Sequence, residues 1–183
     1  MLKYFYIFIF SFLITGSNAD NKENIINNLK KIKNINFEFE QNINEKIESG
    51  KCIVEYPRKI FCEYLGKNNK ILVSNGKSLV VKTKASYYRY PLKKTPLNFI
   101  LDKNFLINKI YNLEERVINE SFINYKINEN GSEINIFFDN NSFNLIGWQT
   151  KDIYQNLNIT FLSSVKKNEP INKNIFKLPS SQN

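Results

Sequence analysis

The 183-residue sequence contains no histidine, and this absence removes several kinds of chemistry. A Ser–His or Cys–His nucleophile pair and a histidine-containing zinc site are both excluded. The two cysteines are too few for a metal cage, and no glycine-rich phosphate loop is present. Carboxylates are sparse on the apolar faces of the predicted strands. The sequence therefore predicts a protein that is not an enzyme and that uses no metal or other cofactor.

Long apolar runs are also missing, apart from one at the N-terminus. Residues 4–14, YFYIFIFSFLI, follow Lys3 and fall short of the roughly 20 residues that span a bilayer. Ser17 and Ala19 occupy the −3 and −1 positions of a cleavage site, and no cysteine nearby offers a lipid attachment point. Residues 1–19 are predicted to be a signal peptide and residues 20–183 the mature domain, whereas an uncleaved anchor is the disfavoured alternative. We expect export to an oxidising compartment.

The composition is that of one globular domain with a basic surface. Apolar residues make up 42% and aromatic residues 14% of the chain, and the formal net charge is +9. This charge, with Arg89 among the tyrosines of residues 87–90, prompts a polyanion-binding alternative. The lysines are spread along the chain, however, and aromatic and basic residues are common on half-exposed strands. No nucleic-acid partner is predicted.

Most of the chain alternates between apolar and polar residues as β-strands do. Residues 20–33 are the exception at the start, because Ile25, Leu29 and Ile32 form the apolar stripe of a helix. About ten or eleven short strands follow, with a type I′ turn predicted at residues 75–76 and another tight turn at residues 130–131, both Asn-Gly. No linker or repeat interrupts them. A single mainly antiparallel sheet, curved as in a sandwich or barrel, is predicted.

One predicted hairpin brings the two cysteines together. It covers residues 50–64 and turns near Pro57 and Arg58, which places Cys52 close to opposite Cys62. A cross-strand disulfide and a pair of small buried thiols are equally compatible with this pattern.

Residues 93–108, KKTPLNFILDKNFLIN, break the alternation in the middle of the chain. Thr95 is predicted to cap a short helix that starts at Pro96. The apolar residues Leu97, Ile100 and Leu101 share one face of that helix, and a second turn after it carries Phe105 and Leu106. The segment is either a plug in the core of the domain or a movable lid over an apolar hollow.

The order of these elements resembles the outer-membrane lipoprotein carrier proteins of Gram-negative bacteria, the periplasmic LolA family. The resemblance covers nearly all of residues 20–183. Its motifs are Phe37-x-Phe39-x-Gln41, Tyr56-Pro57 leading to Ile60-x-x-Glu63-Tyr64, ILVSNGKSL at residues 71–79, Tyr90-Pro91-Leu92 with Thr95-Pro96-Leu97, and Leu145-Ile146-Gly147-Trp148 with Asp152.

The resemblance implies an α+β, mainly β fold, an unclosed antiparallel β-barrel with an N-terminal helix and a helical lid. It implies a monomeric periplasmic carrier that shields lipoprotein acyl chains. The implied partners are an inner-membrane lipoprotein-releasing ABC transporter and an outer-membrane lipoprotein acceptor. The expected cavity residues are Phe37, Phe39, Val54, Tyr56, Ile60, Cys62, Tyr64, Trp148, Ile159 and Phe161. The expected lid residues are Thr95, Pro96, Leu97, Ile100, Leu101, Phe105 and Leu106.

The sequence departs from the family at the position before the hairpin proline. Well-studied members have an arginine there that bonds the lid, whereas this chain has Tyr56. The nearest arginine, Arg58, is expected to point the other way, which leaves Tyr56 to donate a hydrogen bond to a lid carbonyl. A periplasmic lipid- or protein-sensing module on the same scaffold is the alternative function.

Overall fold

The structure, a computed structural model, describes residues 21–151 and 155–181. The predicted signal peptide, residues 1–19, lies outside these residues, as does Asp152. Within the described residues one helix, α1 (Asn21–Lys31), precedes eleven strands that form one sheet. The strands are β1 (Asn34–Ile43), β2 (Lys46–Glu55), β3 (Lys59–Tyr64), β4 (Ile71–Asn75), β5 (Ser78–Lys82), β6 (Tyr87–Pro91), β7 (Arg116–Ile118), β8 (Phe122–Glu129), β9 (Ser132–Asp139), β10 (Leu145–Lys151) and β11 (Leu157–Lys167).

The sheet is antiparallel throughout and is not closed. Its order is β6-β5-β4-β3-β2-β1-β11-β10-β9-β8-β7, so β6 and β7 form its two edges. Pairing of β1 with β11 joins the first and second halves of the chain at the centre of the sheet. The helical segment connects β6 to β7, so it has to pass from one edge of the sheet to the other. The predicted fold class is confirmed.

The mid-chain segment is more helical than its sequence predicts. A 3-10 turn (Leu92–Lys94) leads into α2 (Leu97–Ile100) and then α3 (Lys103–Asn112). The predicted side-chain cap by Thr95 is wrong, because its hydroxyl donates to the Leu92 carbonyl at 2.8 Å. Asp102 supplies the cap instead, since its carboxylate accepts the Phe105 N–H at the start of α3.

The main core lies between the inner face of the sheet and the helices. The predicted stripe of α1 is buried there, with Ile25 and Leu29 at most 1% exposed. The helical segment contributes Leu101 and Leu106, and the strands contribute alternating apolar residues such as Tyr125. Burial of the apolar stripes on both sides fixes the helices against the sheet.

The two Asn-Gly turns differ in the structure. Asn130 and Gly131 both have positive φ, as a type I′ turn requires. The prediction for residues 75–76 is wrong, because Asn75 stays in β4 and the turn lies one residue later. The Asn75 side chain accepts the N–H groups of residues 77 and 78, which stabilises the shifted turn.

The C-terminal segment covers the outer face of the first half of the sheet. Val73 and Val80 point to that face and are at most 1% exposed. A 3-10 turn (Lys173–Phe176) packs against β3 and β4 and buries Phe176. Further along, the Lys82 ammonium donates to the Ser180 carbonyl at 3.1 Å. The outer face of this part of the sheet is therefore packed.

Candidate functional site: an apolar cavity under the mid-chain helices

A cavity of about 330 Å³ lies between the inner face of the sheet and the mid-chain helices. Its walls are mainly aliphatic and aromatic, with polar residues toward the ends of β1, β10 and β11. The lining residues are Phe39, Gln41, Ile43, Cys52, Ile60, Cys62, Tyr64, Lys70, Leu72, Leu79, Val81, Thr95, Pro96, Leu97, Ile100, Trp148, Thr150, Lys151, Asn158 and Thr160. Small-molecule sites commonly combine such an apolar lining with a few polar groups.

Half of the ten predicted wall residues line this cavity. They are Phe39, Ile60, Cys62, Tyr64 and Trp148. They converge because β1, β2 and β3 are neighbours and β10 reaches them through β11. The aromatic rings make edge contacts, such as Phe39 on Tyr64 at 4.9 Å between centroids.

Three further predicted wall residues lie beyond the cavity, against the core. Phe37 and Val54 are 3% and 1% exposed and belong to the packed core between sheet and helices. Tyr56 packs against the same core, and burial raises the pKa of its hydroxyl above the usual value. These residues support the wall but are not part of the cavity surface.

The prediction that Phe161 and Ile159 face the cavity is wrong. On β11 the inward residues are Thr160, which lines the cavity, and Leu162, which belongs to the core. Phe161 is 49% exposed on the outer face, where its ring stacks on Phe137 at 6.0 Å. Both faces of this strand carry apolar residues, so alternation alone selected the wrong one.

The predicted lid residues divide into two groups. Thr95, Pro96, Leu97 and Ile100 form the part of the cavity surface that faces the sheet. Three others do not line the cavity: Leu101 and Leu106 are buried in the core, and Phe105 packs on Phe99 with 5.0 Å between centroids. The first short helix thus covers the cavity, and the second anchors it.

Several lining residues were not predicted from the sequence. Leu72, Leu79 and Val81 face the cavity from β4 and β5, and the alternation in ILVS and SLVVK carries the signal for them. Gln41 and Thr160 are polar, so a search for apolar residues misses them. They could have been found only from strand pairing, since β1 and β11 place them opposite each other.

The polar side of the cavity is a hydrogen-bonded network. The Tyr64 hydroxyl donates to Gln41 Oε1 at 3.3 Å. The Gln41 amide donates to Asn158 Oδ1 at 2.8 Å and to Thr160 Oγ1 at 3.3 Å. Because these groups satisfy one another, they add polar surface at one end of the cavity without leaving unpaired donors.

An ion pair lies beside this network. The Lys70 ammonium bonds the Glu48 carboxylate and lies 4.0 Å from the centroid of the Tyr64 ring. Burial opposes ionisation of Glu48, but Lys70 and Lys46 outweigh it, so the pKa of the Glu48 carboxyl is lowered. Burial and the nearby Glu48 charge raise the pKa of the Tyr64 hydroxyl.

A disulfide crosses the cavity wall. Cys52 on β2 is directly opposite Cys62 on β3, and their sulfur atoms are bonded at 2.00 Å. The two alternatives that the sequence left open are therefore decided in favour of the disulfide. Both cysteines line the cavity, so the bridge is part of its apolar surface.

The turn between β2 and β3 bonds the helical segment through Arg58. Its N–H donates to the Leu101 carbonyl at 2.7 Å, and its guanidinium bonds the Asp102 carboxylate at 2.5 Å. The expectation that Arg58 points away from the lid is wrong. Its φ of +66° takes it out of the strand alternation and directs its side chain to the start of α3.

Two kinds of feature are missing from residues 21–151 and 155–181. No helix in these ranges combines the length and the apolarity needed to cross a bilayer. No group of three or more acidic or cysteine side chains in these ranges has the proximity needed to hold a metal ion.

Several solved structures are similar to this chain at low sequence identity. An uncharacterized conserved protein from Thermus thermophilus is 8% identical with a TM-score of 0.50, over 89% of this chain and 95% of the other. A LolA superfamily protein from Nitrosomonas europaea is 7% identical with a TM-score of 0.44, over 85% and 97%. Lipoprotein LppX from Mycobacterium tuberculosis is 13% identical with a TM-score of 0.43, over 83% and 95%.

Sequence comparison gives a more specific result. The curated proteins include no match to this chain. The family model of the outer membrane lipoprotein carrier protein LolA matches residues 20–179, which is nearly the whole chain. The chain therefore belongs to the outer membrane lipoprotein carrier protein LolA family.

Proposed function

We propose that this protein is a periplasmic carrier that holds the acyl chains of lipoproteins in its cavity during transfer to the outer membrane. The observation that carries the proposal is the apolar cavity between the sheet and α2. Its surface is built from residues such as Ile60, Leu72 and Leu97, and the part of the chain above it is a short helix. Transport of lipoproteins is also the role from which the family takes its description.

The energetics of acyl burial suit a carrier of this design. Each buried CH₂ group is worth roughly 0.8 kcal/mol, so an acyl chain gains several kcal/mol in an apolar cavity. In the empty protein Leu97 and Ile100 cover the cavity wall, and they move aside when cargo enters. Displacement of these residues subtracts their own packing energy from the energy of binding. The carrier thereby shields lipid from water and can still release it.

The Arg58–Asp102 pair sets how easily the lid moves. It joins the turn between β2 and β3 to the junction of the two lid helices, so opening of α2 away from the wall strains or breaks this contact. The Arg58 side chain is 44% exposed, which keeps the pair weak enough to break during loading. Arg58 thus provides the contact for which the family uses an arginine before the proline.

The proposed route follows from the family resemblance. The signal peptide predicted at residues 1–19 exports the chain to the periplasm, where the mature domain acts as a monomer. It takes lipoproteins from an inner-membrane ABC transporter and passes them to an outer-membrane lipoprotein acceptor. The protein itself catalyses no reaction and uses no cofactor.

Neighbouring residues on β4 provide a matched test of the cavity. Leu72 lines the cavity and is half-buried, whereas Ile71, also half-buried, faces the other side of the sheet. The full-length gene is expressed in a Gram-negative host, the exported protein is purified, and co-purifying lipidated proteins are quantified by mass spectrometry. We expect triacylated lipoproteins with the unmodified protein and with Ile71→Gln, and at least a tenfold loss with Leu72→Gln.

Three outcomes would count against the carrier. If Leu72→Gln and Ile71→Gln recover equal amounts of triacylated lipoprotein, the cavity does not bind the lipid. Co-purification of a single partner protein that carries no lipid would instead favour the alternative function, a periplasmic sensing module. Unimpaired uptake after the lid is cross-linked to the sheet would exclude lid movement.

A further inference from the structure

Three large aliphatic side chains are exposed at one end of the sheet. Leu65 is 71% exposed, Ile47 is 62% exposed and Leu157 is 39% exposed. Leu65 follows β3, and its N–H donates to the Ser49 carbonyl on β2, two residues from Ile47. Large aliphatic residues with such exposure are costly in water unless something covers them.

These residues lie at the same end of the sheet as the polar end of the cavity. The turn between β1 and β2 is joined to the loop before β11 by a hydrogen bond from the Asn44 amide to Asn156 Oδ1 at 2.6 Å. At the same end, Ile43, Lys70 and Lys151 line the cavity. The exposed aliphatic residues therefore lie at the end of the sheet that these cavity residues occupy.

Basic residues alternate with the aliphatic ones. Lys46, Lys67 and Lys151 are exposed at this end of the sheet, and the described acidic residues near them along the chain are Glu45, Glu48 and Glu63. Glu48 is mostly buried and already bonds Lys46 and Lys70, so Glu45 and Glu63 are the exposed carboxylates of this set. We call the following group the rim: Ile47, Leu65, Leu157, Lys46, Lys67 and Lys151.

We propose that the rim docks on the surface of an anionic lipid bilayer. Exposed aliphatic side chains enter the boundary between headgroups and acyl chains, while flanking lysines attract anionic headgroups. Docking in this orientation brings the end of the cavity lined by Ile43 and Lys70 close to the membrane. Cargo then moves between cavity and bilayer without crossing water. Only this last consequence depends on the proposed function, because docking itself requires no cargo.

Vesicle flotation tests docking with the empty protein. The exported, processed protein is mixed with vesicles of phosphatidylethanolamine with and without phosphatidylglycerol. We expect binding to the anionic vesicles that weakens with salt and falls about tenfold or more in the double variant Ile47→Ser/Leu65→Ser. Tyr111→Ser is the matched control, since Tyr111 on α3 is also 71% exposed but lies outside the rim.

A second variant tests the charge independently of the apolar residues. Lys67→Glu leaves Ile47 and Leu65 in place and should reduce binding to anionic vesicles several-fold. Thermal unfolding checks that every variant is folded, which these exposed positions favour.

Several outcomes would overturn the inference. They are absence of flotation by the unmodified protein, undiminished flotation of the double variant, and an equal loss in Tyr111→Ser. Self-association that Leu65→Ser abolishes, without flotation, would assign the surface to a second copy of the chain. Failure of lipoprotein capture in solution, by contrast, would overturn the carrier proposal and leave docking intact.

Discussion

Arg58 bonds Asp102 across the gap between the turn of β2 and β3 and the start of α3, with 2.5 Å between Nη2 and Oδ2. The same arginine donates its backbone N–H to the Leu101 carbonyl, so one residue joins the mid-chain helical segment by two contacts. The side-chain contact can be removed by mutation, whereas the backbone contact remains. The two contributions can therefore be separated.

Removal of the ion pair should speed loading of the cavity. In Arg58→Ala the lid loses one of its two contacts with the sheet, so we expect uptake of a fluorescent fatty acid to be several-fold faster in stopped-flow measurements. The free energy of unfolding should fall by no more than about 1 kcal/mol, because the pair is partly exposed. Arg89→Ala on β6 is the control, and an uptake rate equal to that control would exclude the latch.

The Cys52–Cys62 disulfide should stabilise the whole domain. It closes a short loop, with a sequence separation of 10, and the chain-entropy model gives about 2–3 kcal/mol for such a loop. The double variant Cys52→Ala/Cys62→Ala should lose at least this amount in urea unfolding. If reductant shifts the urea midpoint of the unmodified protein and of the double variant equally, the disulfide has no stabilising role.

Gly50 should tolerate no side chain. A Cβ at this position would lie 2.1 Å from the Glu63 carbonyl oxygen and 2.8 Å from the Phe39 ring, which lines the cavity. Gly50→Ala should cost about 1–3 kcal/mol in unfolding free energy and displace the ring into the cavity. Gly66→Ala, where the position is open, is the control for space, although its positive φ adds a cost of its own. A fully stable Gly50→Ala would contradict the packing.

Stability should fall in acid as Glu48 becomes protonated. The folded pKa of Glu48 is lowered from the ordinary value of 4.5, so its stabilising effect is complete above about pH 4.5 and is lost as the pH falls through the lower, folded value. The difference in unfolding free energy between the unmodified protein and Glu48→Gln should therefore be largest near neutral pH and shrink below pH 4.5. A difference that is constant with pH would exclude this linkage. Glu38→Gln removes the more exposed ion pair between Glu38 and Lys51, and its effect on the unfolding free energy provides the comparison.

Periodicity predicted much of the fold. The alternation of Phe37 and Phe39 placed both side chains on the inner face, and the stripe of Ile25 and Leu29 placed α1 on the core. These predictions succeeded because each segment has one apolar face and one polar face, so burial selects a single orientation.

The errors fall where that condition fails or where the backbone leaves the alternation. The outer face of β11 carries Phe161, whose ring meets Phe137 over Gly147, so apolar character did not identify the inner face. Arg58 has a left-handed backbone that no periodic pattern reveals. The polar residue Gln41 enters the cavity because Tyr64 and Asn158 satisfy it, which only the pairing of distant strands makes visible.

The cover that the C-terminal turn gives to Val73 and Val80 has a mechanical consequence. The turn buries Phe176 behind β3 and β4, on the side of the sheet away from the cavity. Such a wall is stiff, so volume for a guest has to be gained on the opposite side, where α2 is one turn long. When an acyl chain enters the cavity, amide hydrogen exchange should therefore remain slow along β3 to β5 and become faster around α2.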